Sequence, residues 1–512
     1  MGYLIGLDIG TSGTKTVLFS ERGDVICSHT AEYPLYCDRP QWAEQDPEDW
    51  RRASIEGLRA VLHESGVDPR SVSGIGLSGQ MHGLVMLDKE GKVLRRSIIW
   101  CDQRTGEECE EITRRLGREK LISLTANPAL TGFTAGKILW VQRHEPEIWA
   151  RCAHVLLPKD YVRYCLTGEF ATEVSDASGM QLLDVPGRCW SREMLSALEI
   201  DPALLASVHE SFEITGGISK SVAAETGLAP GTPVAGGAGD QAAGAVGNGI
   251  VRPGAVSSTI GSSGVVFAHT DRVTIDPAGR VQTFCHAVPG AWHVMGVTQG
   301  AGISLKWFRD NFCTEERAVA DRLGQDPYVL MDKEAARAPV GCGGVVYLPY
   351  LMGERTPHLD PDAKGVFFGM TAATRREDML RAVMEGVVFS LADCLRIIRG
   401  MGIPVREIRA SGGGGKSPLW RQMQADVFGK PIHTVSSPEG PALGVALLAA
   451  VGAGLYASVP EACDACVSST LREKPDREAH KAYGPYYDLY RSLYRALRVS
   501  FRRDTKILSE GK

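Results

Sequence analysis

The chain has 512 residues, a formal net charge of −5, 44% apolar and 23% charged residues. At about 150 residues per domain this length calls for more than one lobe, and the composition is globular rather than disordered. No sustained basic tract offers a footprint for nucleic acid, no apolar run reaches the ~18 residues that span a bilayer, and no signal peptide is evident. Thirteen cysteines, an odd number without framework spacing, fit a reduced cytoplasm.

Taken in chain order, Tyr3–Leu7 and Thr16–Phe19 are apolar or β-prone and read as two strands. The turn between them, Gly10-Thr11-Ser12-Gly13-Thr14, is longer than the roughly two residues a tight hairpin needs, and it is followed by Lys15. Such a turn is either a plain hairpin or a cradle of backbone N–H groups for an anion.

The run "VAGGAGDQAAGAVGNGIVRPGAVSSTIGSSGVVF" near the middle of the chain reads as a hinge between lobes. Its "GAGDQA" only approximates a dinucleotide fingerprint, and no acidic residue follows at the ~20-residue distance. Asp240 lies between a small-residue strand end and an Ala/Gly-rich helix, as either an N-cap or a carboxylate projecting into a cleft. The run ends in strand, turn, strand again, and Gly261-Ser262-Ser263-Gly264 answers Gly10-Thr11-Ser12-Gly13. Two such hairpins predict two similar lobes whose loops grip one polyphosphate from opposite sides.

Thr374 and Glu377 have capping-box spacing ahead of Met379, Leu380, Val383, Met384, Val387, Val388 and Leu391, predicting a core helix with Gly400 beyond its end. In "VREIRASGGGGKSPLWRQMQADVFG" a strand ends near Ser411, Ser417 and Pro418 are N-cap and first helical residue, and Gly429 is the stop. A helix start behind a glycine loop attracts a nucleotide. It is not a Walker A loop, because Ala410 stands where that pattern needs glycine. Cys463 and Cys466 have CxxC spacing on a predicted helix, without a second pair to complete a zinc site. The basic cluster "RALRVSFRRDTK" reads as the solvated face of a last helix.

Together these segments resemble the FGGY carbohydrate kinases, which have the two-lobed, actin-like ATPase fold of the α/β class. "GLDIGTSGTK", "STIGSSG" and "SGGGGKS" resemble the family's two phosphate loops and adenosine loop, and "FTAGKILW" and "GVFFGMTAATRREDMLRAVMEG" its two signatures. "LSGQMHGLVMLD", "WAEQDPEDW", "LLPKDYVRYCLTGEF" and "LPYLMGERTPHLDPDAKGVFFG" resemble the branch that acts on D-xylulose. Two positions depart from the pattern: Gly136 replaces a usual proline, and Gln241 follows Asp240 where many kinases of that branch have asparagine.

The resemblance implies an ATP-dependent transfer of phosphate to D-xylulose, with Asp240 as the general base and Asp8 on Mg²⁺ through water. Thr11, Ser12, Gly13, Thr14 and Lys15, with Gly261, Ser262 and Ser263, would hold the phosphates. Gly300 and Gly302 would border the nucleotide, and Gly413, Gly414 and Ser417 would lie against adenosine. Gln80, Met81, His82, Trp100, Asp102 and Gln241 would face the sugar. The expected domains are an N-terminal lobe over 1–247, a C-terminal lobe over 248–490 and a helical tail over 491–512. Expected partners are the sugar and ATP, with no nucleic acid and no membrane; a homodimer is the default assembly. The rival readings are kinases of the same family for ribulose, erythritol or glycerol, and an actin- or chaperone-like nucleotide switch.

Overall fold

The computed structural model describes residues 2–510. The opening stretch forms the expected hairpin: Tyr3–Ile9 pairs antiparallel with Gly13–Ser20, placing Asp8 opposite Lys15. Val25–Glu32 adds antiparallel on the outer side, and Val72–Gly79 pairs parallel with the first strand on the other. Pro233–Ala235 continues the parallel side and Ile214–Gly217 ends the sheet.

The second half repeats the plan. Gly254–Ile260 pairs antiparallel with Gly264–Thr270, which pairs with Trp292–Thr298; on the opposite side Val405–Gly412 and Ile432–Val435 follow in parallel. Gln282–Cys285 and Ser469–Glu473 are the edges. The echo between the two glycine turns thus reflects two lobes with the same strand order.

Strands covered on both faces read as continuous apolar runs, as in Leu4, Ile5, Leu7 and Ile9, all fully buried. Because side chains alternate, Ile5, Leu7 and Ile9 pack with Trp50 and Leu58 of the helix Pro47–Ser65. Leu4 faces the other way, onto Leu443 and Leu447 of the helix Gly440–Gly452. Gly6 and Gly76 share that second face, where an added Cβ would run into the carbonyls of Ala442 and Val445. Two glycines therefore let a helix from the second half of the chain lie directly on the first sheet.

That helix also crosses Asp240–Gly247 at close range. A Cβ on Gly444 would strike the Ala243 carbonyl, and one on Gly247 the Gly440 carbonyl. The glycine run expected as a hinge is therefore largely a strand end and a helix, and its small residues serve close helix packing between the lobes. Ala245 on the same helix packs with Phe267 and Ile250 of the second lobe.

Two expected boundaries shift. The helix Arg376–Gly400 has Arg375 as its N-cap, whose N–H donates to Asp378 (2.9 Å). The Thr374 hydroxyl is already used in its own turn, where it accepts from Thr371 N (2.9 Å), so the capping box falls one residue later than Thr374 and Glu377. Gly400 is the last helical residue rather than the residue beyond the end, and Gly402 takes the left-handed conformation (φ 80°). The last helix runs from Arg477 to Glu510, so the expected division at 490/491 falls inside it. Tyr483 and Tyr490 are buried on it, and the Tyr350 hydroxyl donates to Tyr490 (2.8 Å), so the helix packs against the second lobe through this part.

Among the described residues no helix is long and apolar enough to cross a membrane. All thirteen cysteines are free, and the Cys463 thiol donates to the Val246 carbonyl.

Candidate active site

The two glycine turns are built alike. Gly10 N donates to Gly13 O (3.0 Å), and Gly261 N to Ser263 O (3.0 Å). The first turn is propped from outside: the Tyr33 hydroxyl and the Gln80 amide donate to Gly10 O (2.6 and 3.2 Å), the Gln45 amide to Thr11 O (2.7 Å), and Tyr33 N to Ser12 O (3.3 Å). Carbonyls that would repel an anion are thereby engaged elsewhere, while Ser12 stays exposed. Thr14 differs from its neighbours: it is buried, and its hydroxyl donates to the Tyr33 oxygen (3.4 Å). The second turn is held by Gly302 N donating to Gly261 O (2.8 Å) and Ile303 N to Ser262 O (3.1 Å). Gly302 thus stands behind the loop, and Gly300 is pressed against the Pro349 carbonyl.

Asp8 ends the first strand, and one of its oxygens accepts from the Ser78 hydroxyl (2.8 Å). Asp240 is the first residue of its helix, following Gly239 as N-cap. Its one side-chain partner is the Gln241 amide, which donates to Oδ2 (3.3 Å). Burial, and then the neighbouring Asp8 carboxylate, push the Asp240 pKa up to about 7. Burial raises that of Asp8 as well. Two carboxylates that repel each other beside phosphate-type loops suit a hard divalent cation, which takes carboxylate, phosphate and water oxygens. Lys15 Nζ, the nearest cation by sequence, is bound to Glu439 Oε2 (2.6 Å) of the second lobe.

Among the residues expected to face the sugar, Met81 packs on Gly239, where an added Cβ would stand 2.9 Å from Met81 Cγ. His82 adopts φ 71°, uncommon for a residue with a side chain and a sign of an imposed conformation. What imposes it is Lys137: its buried Nζ donates to the carbonyls of His82 and Gly132 (2.7 Å each), helped by the Thr134 hydroxyl (3.1 Å to His82 O). The His82 ring lies by Phe133 and Phe284, with Nδ1 2.9 Å from the Gly179 carbonyl. Burial and the charge of Lys137 lower its pKa to about 3, so it is neutral, donates through Nδ1, and presents Nε2 as an acceptor.

The remaining expected sugar residues have other attachments. Gln80 is buried and donates to Gln45 Oε1 (2.7 Å) as well as to the loop, leaving its own Oε1 without a partner. The Trp100 indole donates to the Thr11 hydroxyl (2.9 Å), which ties it to the first glycine turn. Asp102 is saturated: it accepts from Ala43 N (2.7 Å), Arg104 N (2.9 Å) and the Arg104 guanidinium (2.7 Å). Lys137 was legible only as part of the first signature; its role appears once the helix Thr134–His144 sets it under His82. Gly136 is in the first turn of that helix, a position that proline also accepts.

A cleft of about 660 Å³ opens between the lobes and is lined by Asp240, Gln241, Gly413 and Lys416. Ser417 caps the helix Pro418–Phe428 as expected, accepting from Trp420 N (3.0 Å), and Gly414 is buried against Ile260. Sequence reasoning missed the opposite wall, made by Asn248, Thr259 and the turn Ser436-Ser437-Pro438 that leads into the helix Gly440–Gly452. The proline–glycine punctuation of "SSPEGP" was the available signal.

Comparisons with known proteins agree with this geometry. Residues 3–247 match the N-terminal domain, and residues 256–453 the C-terminal domain, of the FGGY family of carbohydrate kinases. The chain is 39% identical over 494 residues to the xylulose kinase of Bacillus subtilis, covering 96% of this chain and 97% of that one. It is likewise 39% identical over 494 residues to the xylulose kinase of Escherichia coli, covering 96% and 99%. A crystal structure described as a xyloylose kinase from Brucella ovis superposes with a TM-score of 0.88 at 35% identity, over 97% of this chain and 99% of that chain. With two matched lobes around a shared cleft in the actin-like ATPase fold, the chain belongs to the FGGY family of carbohydrate kinases.

Proposed function

We propose that the protein phosphorylates D-xylulose at its terminal 5-hydroxyl with ATP. The observation that carries this reading is the position of Asp240: its side chain borders the nucleotide cleft, while the preceding Gly239 packs against Met81, next to His82. This supports Asp240 as the carboxylate that would stand between a phosphate donor and an open-chain acceptor. The choice of xylulose rests on relatives 39% identical over nearly the whole chain.

Asp240 accepts the proton of the 5-hydroxyl as its oxygen attacks the γ-phosphorus, and the bond to the ADP oxygen breaks. With a pKa of about 7 the carboxylate is basic enough to take that proton and is largely ionised just above neutrality. The turns at Thr11–Gly13 and Gly261–Ser263 hold the phosphates, and Gly413 and its neighbours take the adenosine. Asp8, with Asp240 beside it, would hold Mg²⁺, which supplies neutralisation of the phosphate charge. His82, fixed by Lys137, accepts a sugar hydroxyl through Nε2. The protein acts in the cytoplasm, in accord with its free thiols.

Gln241 favours one alternative. Its amide contacts Asp240 where the D-xylulose branch commonly has asparagine, so a longer side chain stands beside the acceptor. That alternative is another ketose or polyol of similar length. Release of ADP that depends on added D-xylulose, with a phosphorylated pentulose in the mass spectrum, tests the reading.

A further inference from the structure

Glu354 and Arg355 are adjacent, opposite in charge and largely withdrawn from solvent, yet they form no ion pair. The Glu354 carboxylate is turned to the strand Trp292–Thr298: it accepts from the Thr298 hydroxyl (2.6 Å), Gln299 N (2.9 Å) and Arg355 N (2.7 Å). Thr356 continues the attachment, its N donating to Val297 O (2.9 Å) and its hydroxyl accepting from Val297 N (3.1 Å). The carboxylate thus fixes the peptide, and the guanidinium is left without an ion-pair partner among the described residues. The Gln299 side-chain oxygen stands 3.2 Å from its Nε when the Gln299 amide is oriented to donate to Met352 O.

The place of this guanidinium follows from its neighbours. Val297 packs with Phe133 and Phe284, whose rings flank His82. The Arg355 charge helps to depress the pKa of His82, and the Cys101 thiol of the first lobe acts on Arg355 in turn, raising its pKa. Through Val297 and the two phenylalanines the Arg355 segment therefore lies on the His82 side of the site. A guanidinium withdrawn from water without an ion-pair partner in contact is costly, and its planar fork of donors suits a fixed oxygen acceptor. The end of an open-chain ketose farthest from the reacting hydroxyl carries such an acceptor, the ketone oxygen.

We propose that Arg355 is a specificity-determining residue that donates from the second lobe to the ketone oxygen of the sugar, and that Glu354 is the positioning residue that aims it. This rests on the sugar-kinase reading above. It adds a reason for the enzyme to favour a ketose over the corresponding polyol, which lacks the carbonyl.

The test compares D-xylulose with xylitol, the latter measured as a substrate or as a competitive inhibitor, for wild type, Arg355→Gln and Glu354→Gln. Loss of a charge-assisted hydrogen bond should lower kcat/KM for D-xylulose by roughly 10- to 100-fold in Arg355→Gln, mainly through KM. Xylitol should change by less than about 3-fold, the ATP KM should not move, and Glu354→Gln should shift D-xylulose in the same direction by a smaller factor. A purely structural role would weaken both sugars alike. Equal losses for the two sugars, or a raised ATP KM with unchanged sugar KM, overturn the proposal. If Arg355→Gln does not fold, Arg355→Lys serves instead: it keeps the charge but loses the fork, and undiminished preference for the ketose in it overturns the proposal equally. Wild type that turns over no ketose refutes the underlying reading, while an active wild type with an unaltered Arg355→Gln refutes this inference alone.

Discussion

Lys15 Nζ lies 2.6 Å from Glu439 Oε2, joining the first glycine turn to the residue that precedes the helix crossing between the lobes. With Lys15 38% exposed, the pair contributes at most about 1 kcal/mol to stability. Its consequence is for charge: Glu439 offsets the one lysine beside the turn. Lys15→Met should raise the ATP KM by about 10-fold, and Glu439→Gln should lower it by about 3-fold, with both effects shrinking at high salt. ATP titrations at saturating sugar and two ionic strengths check this; an unchanged ATP KM in Lys15→Met would remove the lysine from phosphate binding.

Asp240→Asn should lower kcat by ~10² to 10⁴-fold while ATP affinity holds. With Asp240 as the proposed base, kcat/KM for the sugar should fall as pH drops through the raised pKa of its carboxyl, about 7 before a cation sits beside it. Stability should move the other way. The folded protein keeps the Asp240 proton up to about pH 7, the unfolded chain only to about 3.8, so the folded state loses stability as pH rises between those values. At pH 8 the Asn variant should therefore melt about 2 °C or more above wild type, and at pH 4 the difference should vanish. Melting curves at the two pH values, alongside the kinetics, decide it.

Gly444→Ala should be among the most damaging single-methyl changes in the chain. The new Cβ would meet the Ala243 backbone carbonyl, which cannot turn aside as a side chain would. Overpacking of this kind costs about 1 to 3 kcal/mol or more. Gly66→Ala is the control, since nothing stands near its Cβ position and only its left-handed φ of 64° opposes the change. Urea titrations should give a clear midpoint drop for Gly444→Ala and a smaller one for Gly66→Ala.

Lys137→Met should weaken sugar binding without touching ATP. Removing the Lys137 amino group leaves the Gly132 carbonyl unpaired and the His82 carbonyl held by Thr134 alone, which loosens the backbone that holds His82 at φ 71°. The sugar KM should rise at least about 10-fold, with the ATP KM within twofold of wild type. Equal rises in both would indicate general loosening of the cleft instead.

The two hairpins, the Ser417 cap and the helix Pro418–Phe428 were legible because local rules govern them: turn length, N-cap chemistry and a glycine stop all act within a few residues. Asp240 could be named but not resolved between cap and base, since that depends on where its carboxyl points once the lobes meet. The crossing of Gly247 on Gly440 and Gly444 on Ala243 was invisible for a similar reason: glycine-rich sequence looks like a hinge until a distant helix is seen to lie on it. Trp100, Asp102 and Thr14 show the opposite limit. Their residue types suit a binding pocket, but each is committed to a partner, Thr11, Arg104 or Tyr33, that only tertiary structure supplies.

The central claim is the identity of the acceptor, and ³¹P and ¹³C spectra of the reaction product test it most directly. With ATP, Mg²⁺ and D-xylulose, ribulose, erythritol, glycerol or gluconate supplied separately, D-xylulose should give the highest kcat/KM, and its product should show phosphorus coupled to C5. A faster reaction with ribulose, a polyol or gluconate, or phosphate on any other carbon, would contradict the account.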